Sequence, residues 1–363
     1  MDVGVLLVFQ NWHENLSDEE VFVKETELGV LAEQYGFDAV WATEHHFDDY
    51  SMCPDPLQLL SYLAARTSRI KLGTGAVIVP WNDPLRVVEK AIMLDHLSGG
   101  RLLLGLGRGL AKMEYEGFRT DMNEARERFD EAGEVILRGL QNGYVENGGP
   151  IFVQPRVNAR PGPSDRRTWQ NRLYGVAMSP GSIGPIADLG VRMMTFIQFP
   201  IEQHAEAINA WRAAFREKHH AEPPPPLLQD FVYCHEDPEE AERVARDYIS
   251  RYFLSVIKHY DFAGSHWRET KGYQAYQKGA DMIREAGMEA AAGGFVDTQI
   301  WGSPQQIIDK YRHRVDVLGE FSANIAPSFA GLPFDKVQAS LKLFGEKVVP
   351  ELHRIGVSTP AGA

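Results

Sequence analysis

The chain has 363 residues, enough to bury one large barrel or two smaller domains. Its 50 acidic and 37 basic residues leave a net charge of -13, which argues against nucleic acid or an anionic membrane as partner, because a phosphate-binding surface needs a basic excess. Two cysteines, Cys53 and Cys234, are too few for a disulfide framework or a cysteine zinc site, and no apolar run is long enough to span a bilayer. With a start, Met1-Asp2-Val3, that lacks the basic residues of a signal peptide, the expectation is free thiols in a cytoplasmic protein.

In chain order, Val3 to Phe9 reads as a strand, and Ser17-Asp18-Glu19-Glu20 as a capping box opening a helix that Gly36 closes. Asp38 to Ala42 is a second strand, ending in Glu44-His45-His46. Pro54 to Thr67 is a helix, Ile70 to Val79 a third strand, and Asn82-Asp83-Pro84 starts a helix to Leu97. Arg101 to Leu106 is a fourth strand, and Asp121 to Leu140 a helix. The Gly- and Pro-rich stretch 141–165 breaks the rhythm, with a hairpin expected to pair Tyr144-Val145 with Ile151-Phe152-Val153.

Alternation resumes with a strand from Leu173 to Met178, a helix from Ser182 to Leu189, a strand from Val191 to Ile197 and a helix from Ile201 to His219. Leu228 to Cys234 is a strand, and Asp237-Pro238 opens a helix. From about 255 to 300 the pattern fails in an aromatic and Gly-rich insertion. Ser303-Pro304 then starts a helix, followed by a strand from Phe321 to Pro327 and a helix from Pro333 to Leu352. Eight strands alternating with helices predict an α/β fold, a single (β/α)8 barrel with insertions after strands four and seven. The Gly105–Gly109 run lacks the dinucleotide fingerprint spacing of a doubly wound sheet.

In such a barrel the active site lies where the strands end. The groups placed there are His13, Glu44-His45-His46, Gly75-Ala76, Arg108, Ser179 and Ser182. An acid beside two imidazoles suits proton chemistry; the same cluster also reads as a polar surface loop. Ser179 and Ser182 at a helix start, with arginines on the rim, suit an anion such as phosphate, and equally suit plain helix capping. No His-x-His pair or His-Glu-x-x-His run appears, and neighbouring strand residues face opposite ways, so no metal centre is expected. One of His45 and His46 should face the barrel mouth and the other pack against helices. His96, inside an apolar helix, reads as a buried core histidine.

Further runs carry a resemblance. They are Gly36-Phe37-Asp38-Ala39-Val40-Trp41 with Glu44-His45-His46-Phe47, Leu72-Gly73-Thr74-Gly75-Ala76, and Asp83-Pro84-Leu85-Arg86 with Leu94 to Arg101. Gly107-Arg108-Gly109-Leu110 and Phe118-Arg119-Thr120-Asp121-Met122-Asn123 with Arg126 continue the series. In this order they resemble the bacterial luciferase-like family of flavin-dependent monooxygenases over most of residues 1–200.

The resemblance implies a two-component enzyme that takes reduced FMN from a separate flavin reductase and oxygenates a small organic substrate with O2 through a flavin C4a-peroxide. It implies His45 as catalytic histidine, with Glu44 orienting it, and Arg108, Arg126, Ser179 and Ser182 around the FMN phosphate. Gly75-Ala76, expected as a cis peptide, would lie under the isoalloxazine. Gly107 stands where the luciferase α subunit has a cysteine near the flavin, and Met178 where the family has a glutamate whose backbone it uses. Residues 255–300 match poorly and are expected to form a substrate lid. A homodimer packed through the early helices is also implied. The rival readings are a deazaflavin (F420)-dependent oxidoreductase on the same barrel and a flavin-binding barrel without turnover; a metal hydrolase stands behind both.

Overall fold

The computed structural model describes residues 1–262, 264 and 266–355; Ala263, Ser265 and the final stretch, parts of the expected insertion and domain, lie outside the described residues. Eight strands form the barrel: β1 (Val3–Leu7), β2 (Ala39–Ala42), β3 (Lys71–Thr74, continued by Val77–Ile78), β4 (Leu102–Gly107), β5 (Leu173–Val176), β6 (Arg192–Phe196), β7 (Leu227–Cys234) and β8 (Ser322–Ala326). All neighbours are parallel, and β8 returns to β1 through the pairs Val3↔Ala323 and Val5↔Ile325, so the sheet closes. Closure leaves no exposed strand edge, and helices cover the outside.

The helix starts follow from side-chain caps. Ser17 and Glu20 form a capping box at α1 (Asp18–Gln34), Asp55 accepts from the Gln58 amide at α2 (Pro56–Arg66), and Asp83 accepts from the Leu85 and Arg86 amides at α3 (Pro84–Leu97). Among the described residues no helix is long and apolar enough to cross a membrane.

Inside the barrel the Trp41 ring lies across its two neighbouring strands. A Cβ at Gly73 would sit 2.2 Å from that ring, and one at Gly4 2.7 Å from its Nε1, so both positions need glycine. β3 then leaves its ladder at the Gly75–Ala76 cis peptide, which matches the expectation. Thr74 bridges the gap: its Oγ1 accepts from the Gly105 amide and donates to the Gly105 carbonyl, both at 2.8 Å. A side chain thereby satisfies backbone groups that a regular ladder would have paired.

Three expectations need correction. Tyr144–Asn147 pairs not with Ile151 to Val153 but with Gln154–Asn158, in the register Tyr144↔Asn158. The turn is larger because the Ile151 and Phe152 amides donate to the Glu131 carboxylate, which holds them out of the ladder. His96 is not in the core: it is exposed, and its Nε2 lies 2.7 Å from the Gly162 carbonyl, tying the hairpin insertion to α3. The stretch 255–300 is largely helical. The helix from Pro238 runs on to His259, and Gln274–Ala286 and Met288–Thr298 follow. Its glycines hid that periodicity, while Tyr273, Gln277 and Ala280 recur on one buried face. A short strand, Ile300–Gly302, then pairs with the end of β7 and returns the insertion to the barrel.

The turn after β6 carries a pH-sensitive joint. His204 Nε2 accepts from the Gln198 and Phe199 amides, at 3.2 and 3.4 Å, and can do so only when unprotonated. Burial, aided by Arg314, pushes its pKa down to about 4. A depressed folded-state value means that the unfolded chain binds the proton first as pH falls. Its contribution of about 3 kcal/mol is therefore complete above pH 6.5 and lost between there and about 4. Thermal unfolding across that window should show a steep acid loss that is shallower in His204→Gln, whose amide oxygen still accepts; an unchanged slope would place the loss elsewhere.

Candidate active site

At the carboxyl ends of the strands, the segment after β2 divides its side chains between two tasks. The His45 ring meets Glu114, with Nδ1 3.0 Å from Oε1. Glu114 is buried on the short helix Lys112–Gly117 and also accepts from the His46 amide at 2.9 Å. Burial by itself raises a carboxyl pKa, but His45, His259 and the His46 amide outweigh it, and the Glu114 value falls below the ordinary one. An ionised Glu114 accepts the Nδ1 hydrogen and so fixes the tautomer, leaving Nε2 free to take up or hand on a proton. Nε2 lies 3.5 Å from the Tyr260 hydroxyl.

Glu44, expected to orient His45, does other work. Its Oε2 accepts from the Ile78 amide at 3.0 Å, while Oε1 accepts from Trp81 Nε1 at 2.9 Å and Asn82 Nδ2 at 3.0 Å. It lies 3.3 Å from His46 Nε2, and the His46 ring packs edge-on against Phe118 and Trp81. The buried Glu44 carboxylate thus pins the strand beyond the Gly75–Ala76 bond, and the carboxylate that orients His45 is Glu114.

The sequence reading missed Glu114 and His259, and placed Tyr260 only among the aromatics of the insertion. For Glu114 the available signal was an acid between Met113 and Tyr115, just past the strand-four glycines. For His259 there was none, because it arrives on the far helix. His13, also placed at a strand end, stacks on Phe334 at 5.1 Å and takes no part in this cluster.

A second constellation surrounds a cationic hollow. Arg108 is buried, and its guanidinium sits 4.0 Å over the Tyr273 ring while Nη1 donates to the Gly272 carbonyl at 3.1 Å. The Arg126 pKa is pushed down first by burial and then by Arg108, the signature of two neighbouring cations. Asp130, 3.5 Å from Arg126, balances only one of them.

Opposite lie Ser179 and Ser182, both buried, with their hydroxyls 2.8 Å apart. Ser179 stands at the N-cap of the helix Pro180–Asp188 yet makes no side-chain capping bond, so capping does not occupy its hydroxyl. The Tyr276 hydroxyl faces Arg108 and Ser179. Paired guanidinium groups, two hydroxyls and a helix N-terminus make a site for an anion.

Ala76 and Gly107 meet where β3 and β4 run side by side. A Cβ at Gly107 would come within 2.8 Å of Ile78 Cδ1 and 3.3 Å of the Ala76 Cβ, so this contact needs glycine. Met178 turns its sulfur to the Phe196 amide, 3.1 Å away. Above, Trp267 and Tyr273 are fully buried in a second apolar cluster with Tyr115 and Met122, separate from the barrel core.

The sequence profile of the luciferase-like monooxygenases matches residues 1–320. The alkanal monooxygenase alpha chain of Photorhabdus laumondii is 28% identical over 354 residues, covering 93% of this chain and 94% of the relative. The oxygenase component of flavin-dependent trigonelline monooxygenase from Acinetobacter baylyi is 25% identical, covering 93% and 92%. Among solved structures, monooxygenase RslO1 from Streptomyces bottropensis superposes with a TM-score of 0.78 at 26% identity, over 97% of this chain and all of that one.

Two more distant structures share the fold. The oxygenating constituent of 3,6-diketocamphane monooxygenase from Pseudomonas putida, solved with FMN, has a TM-score of 0.73 at 17% identity, over 96% of this chain and 98% of that one. An F420-dependent secondary alcohol dehydrogenase has 0.70 at 15%, over 97% and 98%. With the profile match running from β1 to the threshold of β8 on a closed parallel barrel, the chain belongs to the luciferase-like, flavin-dependent monooxygenase family of oxidoreductases.

Proposed function

We propose that this chain is the oxygenase component of a two-component system, binding reduced FMN delivered by a separate flavin reductase and using O2 to oxygenate a small organic substrate. The observation that carries this reading is the anion site: two adjacent guanidinium groups with two buried serine hydroxyls paired to each other, beside the small residues Gly75, Ala76 and Gly107. A single phosphate on a planar ring system fits both halves. A relative named as the oxygenase component of a flavin-dependent monooxygenase, matched along nearly the whole chain, supports a flavin cofactor.

Arg108, Arg126, Ser179 and Ser182 would hold the phosphate, and Gly75–Ala76, Gly107 and the Met178 backbone would border the ring. Reduced FMN supplies the oxygen-activating chemistry when bound. The protein's share is to position and to manage protons. Glu114 sets the His45 tautomer, so that Nε2 donates a hydrogen to the reacting oxygen or withdraws one from it. The aromatic cluster of residues 260–280 closes over the mouth as a lid and keeps water out. Exposed Val23, Tyr62, Met93 and Leu97 on α1, α2 and α3 give the early helices the apolar surface that a homodimer needs. A cytoplasmic location completes the proposal.

Purified protein supplied with reduced FMN, 18O2 and a panel of ketones, aldehydes and aromatics should yield a product carrying one labelled oxygen. Label-free product formed only with a reduced deazaflavin would overturn the oxygenase reading in favour of hydride transfer. The phosphate clamp makes a separate demand. Arg126→Ala should weaken FMN binding by about 2–4 kcal/mol and spare riboflavin, which lacks the phosphate. Equal weakening for both ligands in a titration would remove Arg126 from the anion site.

A further inference from the structure

The side chains around His45 contain an arrangement that proton handling does not require. His259, on the long helix Pro238–His259, is buried, stacks on Tyr50 at 4.2 Å and holds Asp48 through Nδ1 at 3.1 Å. The Asp48 carboxylate accepts, so Nδ1 carries the hydrogen and Nε2 bears a lone pair. Among the described residues that Nε2 has no hydrogen-bond partner, yet it faces the Glu114 carboxylate at 3.8 Å. Two acceptors confront each other in a buried place, an unfavourable arrangement unless a positive charge lies between them.

We propose that His45, Glu114 and His259 form a binding site for a divalent transition-metal cation of the Zn2+ type. One ligand atom from each residue lies within 4.8 Å of the other two, with separations of 3.0 Å for His45–Glu114 and 3.8 Å for His259–Glu114. Ligands on a tetrahedral zinc at about 2.0–2.1 Å stand about 3.3 Å apart, between those two distances. Two imidazoles and a carboxylate are a familiar zinc donor set, with the fourth position left for water.

The surrounding groups fit as well. A metal-bound histidine normally gives its other nitrogen to a partner. Here Asp48 takes that of His259, and the Tyr260 hydroxyl stands 3.5 Å from His45 Nε2. His45 is partly exposed towards the mouth, which gives the ion a path, whereas Glu114 and His259 are buried. Because the ion would take the His45 Nδ1 that otherwise binds Glu114, Nε2 would keep its hydrogen, and loading this site would stop His45 from withdrawing a proton. That consequence rests on the proposed oxygenase reading, but the binding itself does not.

The test uses the full-length protein after chelator treatment, titrated with Co2+ and then Zn2+. One equivalent of Co2+ should bind with the intense visible bands of tetrahedral cobalt, and Zn2+ should displace it. His259→Gln and Glu114→Gln should each weaken binding about tenfold or more, and Asp48→Asn should weaken it through the His259 tautomer. His353→Gln, at an exposed histidine beside Asp38, should change nothing. Thermal unfolding establishes that each variant is folded, and three substitutions at separate positions guard against the loss of one. The proposal falls if the wild type binds no stoichiometric cation, or if folded His259→Gln and Glu114→Gln bind it as tightly as the wild type.

Discussion

Replacing His45 by alanine is expected to lower product formation by roughly 10²-fold or more while leaving FMN binding nearly intact. The division follows from position. His45 contacts Glu114 and Tyr260, whereas the proposed phosphate site is made by Arg108, Arg126, Ser179 and Ser182. Oxygen consumption should continue, with hydrogen peroxide released in place of product, because the cofactor keeps its reactivity when the protein no longer places a proton beside it. A peroxide assay run alongside product quantification measures that partition. Glu114→Gln should fall between wild type and His45→Ala, since an amide leaves the ring in place but removes the ionised acceptor that fixes its tautomer. A His45→Ala enzyme with wild-type product yield would remove the histidine from the chemistry.

The second large effect is on stability. Glu44→Ala should cost about 3–5 kcal/mol, because Ile78 N, Trp81 Nε1 and Asn82 Nδ2 would lose their shared acceptor in a buried setting. The unfolding temperature and flavin affinity should drop together, since the same carboxylate secures the strand that continues past Gly75–Ala76. Turnover per bound flavin should be largely kept. A stable Glu44→Ala protein that loses turnover as His45→Ala does would restore Glu44 to the catalytic role first expected for it.

The barrel was legible because its elements carry local marks. Capping acids and serines announce Asp18–Gln34, Pro56–Arg66, Pro84–Leu97 and Pro304–Leu318, and short apolar runs between them read as buried parallel strands. The insertion was opaque because it buries aromatics at Trp267 and Tyr273 against Tyr115, a neighbour that only the folded chain supplies. His45 was legible from its place at a strand end, but its partner was not. Two carboxylates, Glu44 and Glu114, compete for adjacent imidazoles, and backbone geometry decides which carboxylate meets which ring. His96 misled for the opposite reason: an apolar helix also has an outer face, and the hairpin insertion needed a hydrogen-bond anchor there.

Arg108 joins two parts of the molecule that are far apart in sequence. Its guanidinium holds the Gly272 carbonyl and lies over Tyr273, and it neighbours Arg126. Under the proposed function, a phosphate there would compete with the insertion for the same nitrogen atoms. Capture of the cofactor and seating of the aromatic cluster would then be a single exchange of partners, and the dwell time of the bound nucleotide would be governed by the cluster as much as by the phosphate's own contacts.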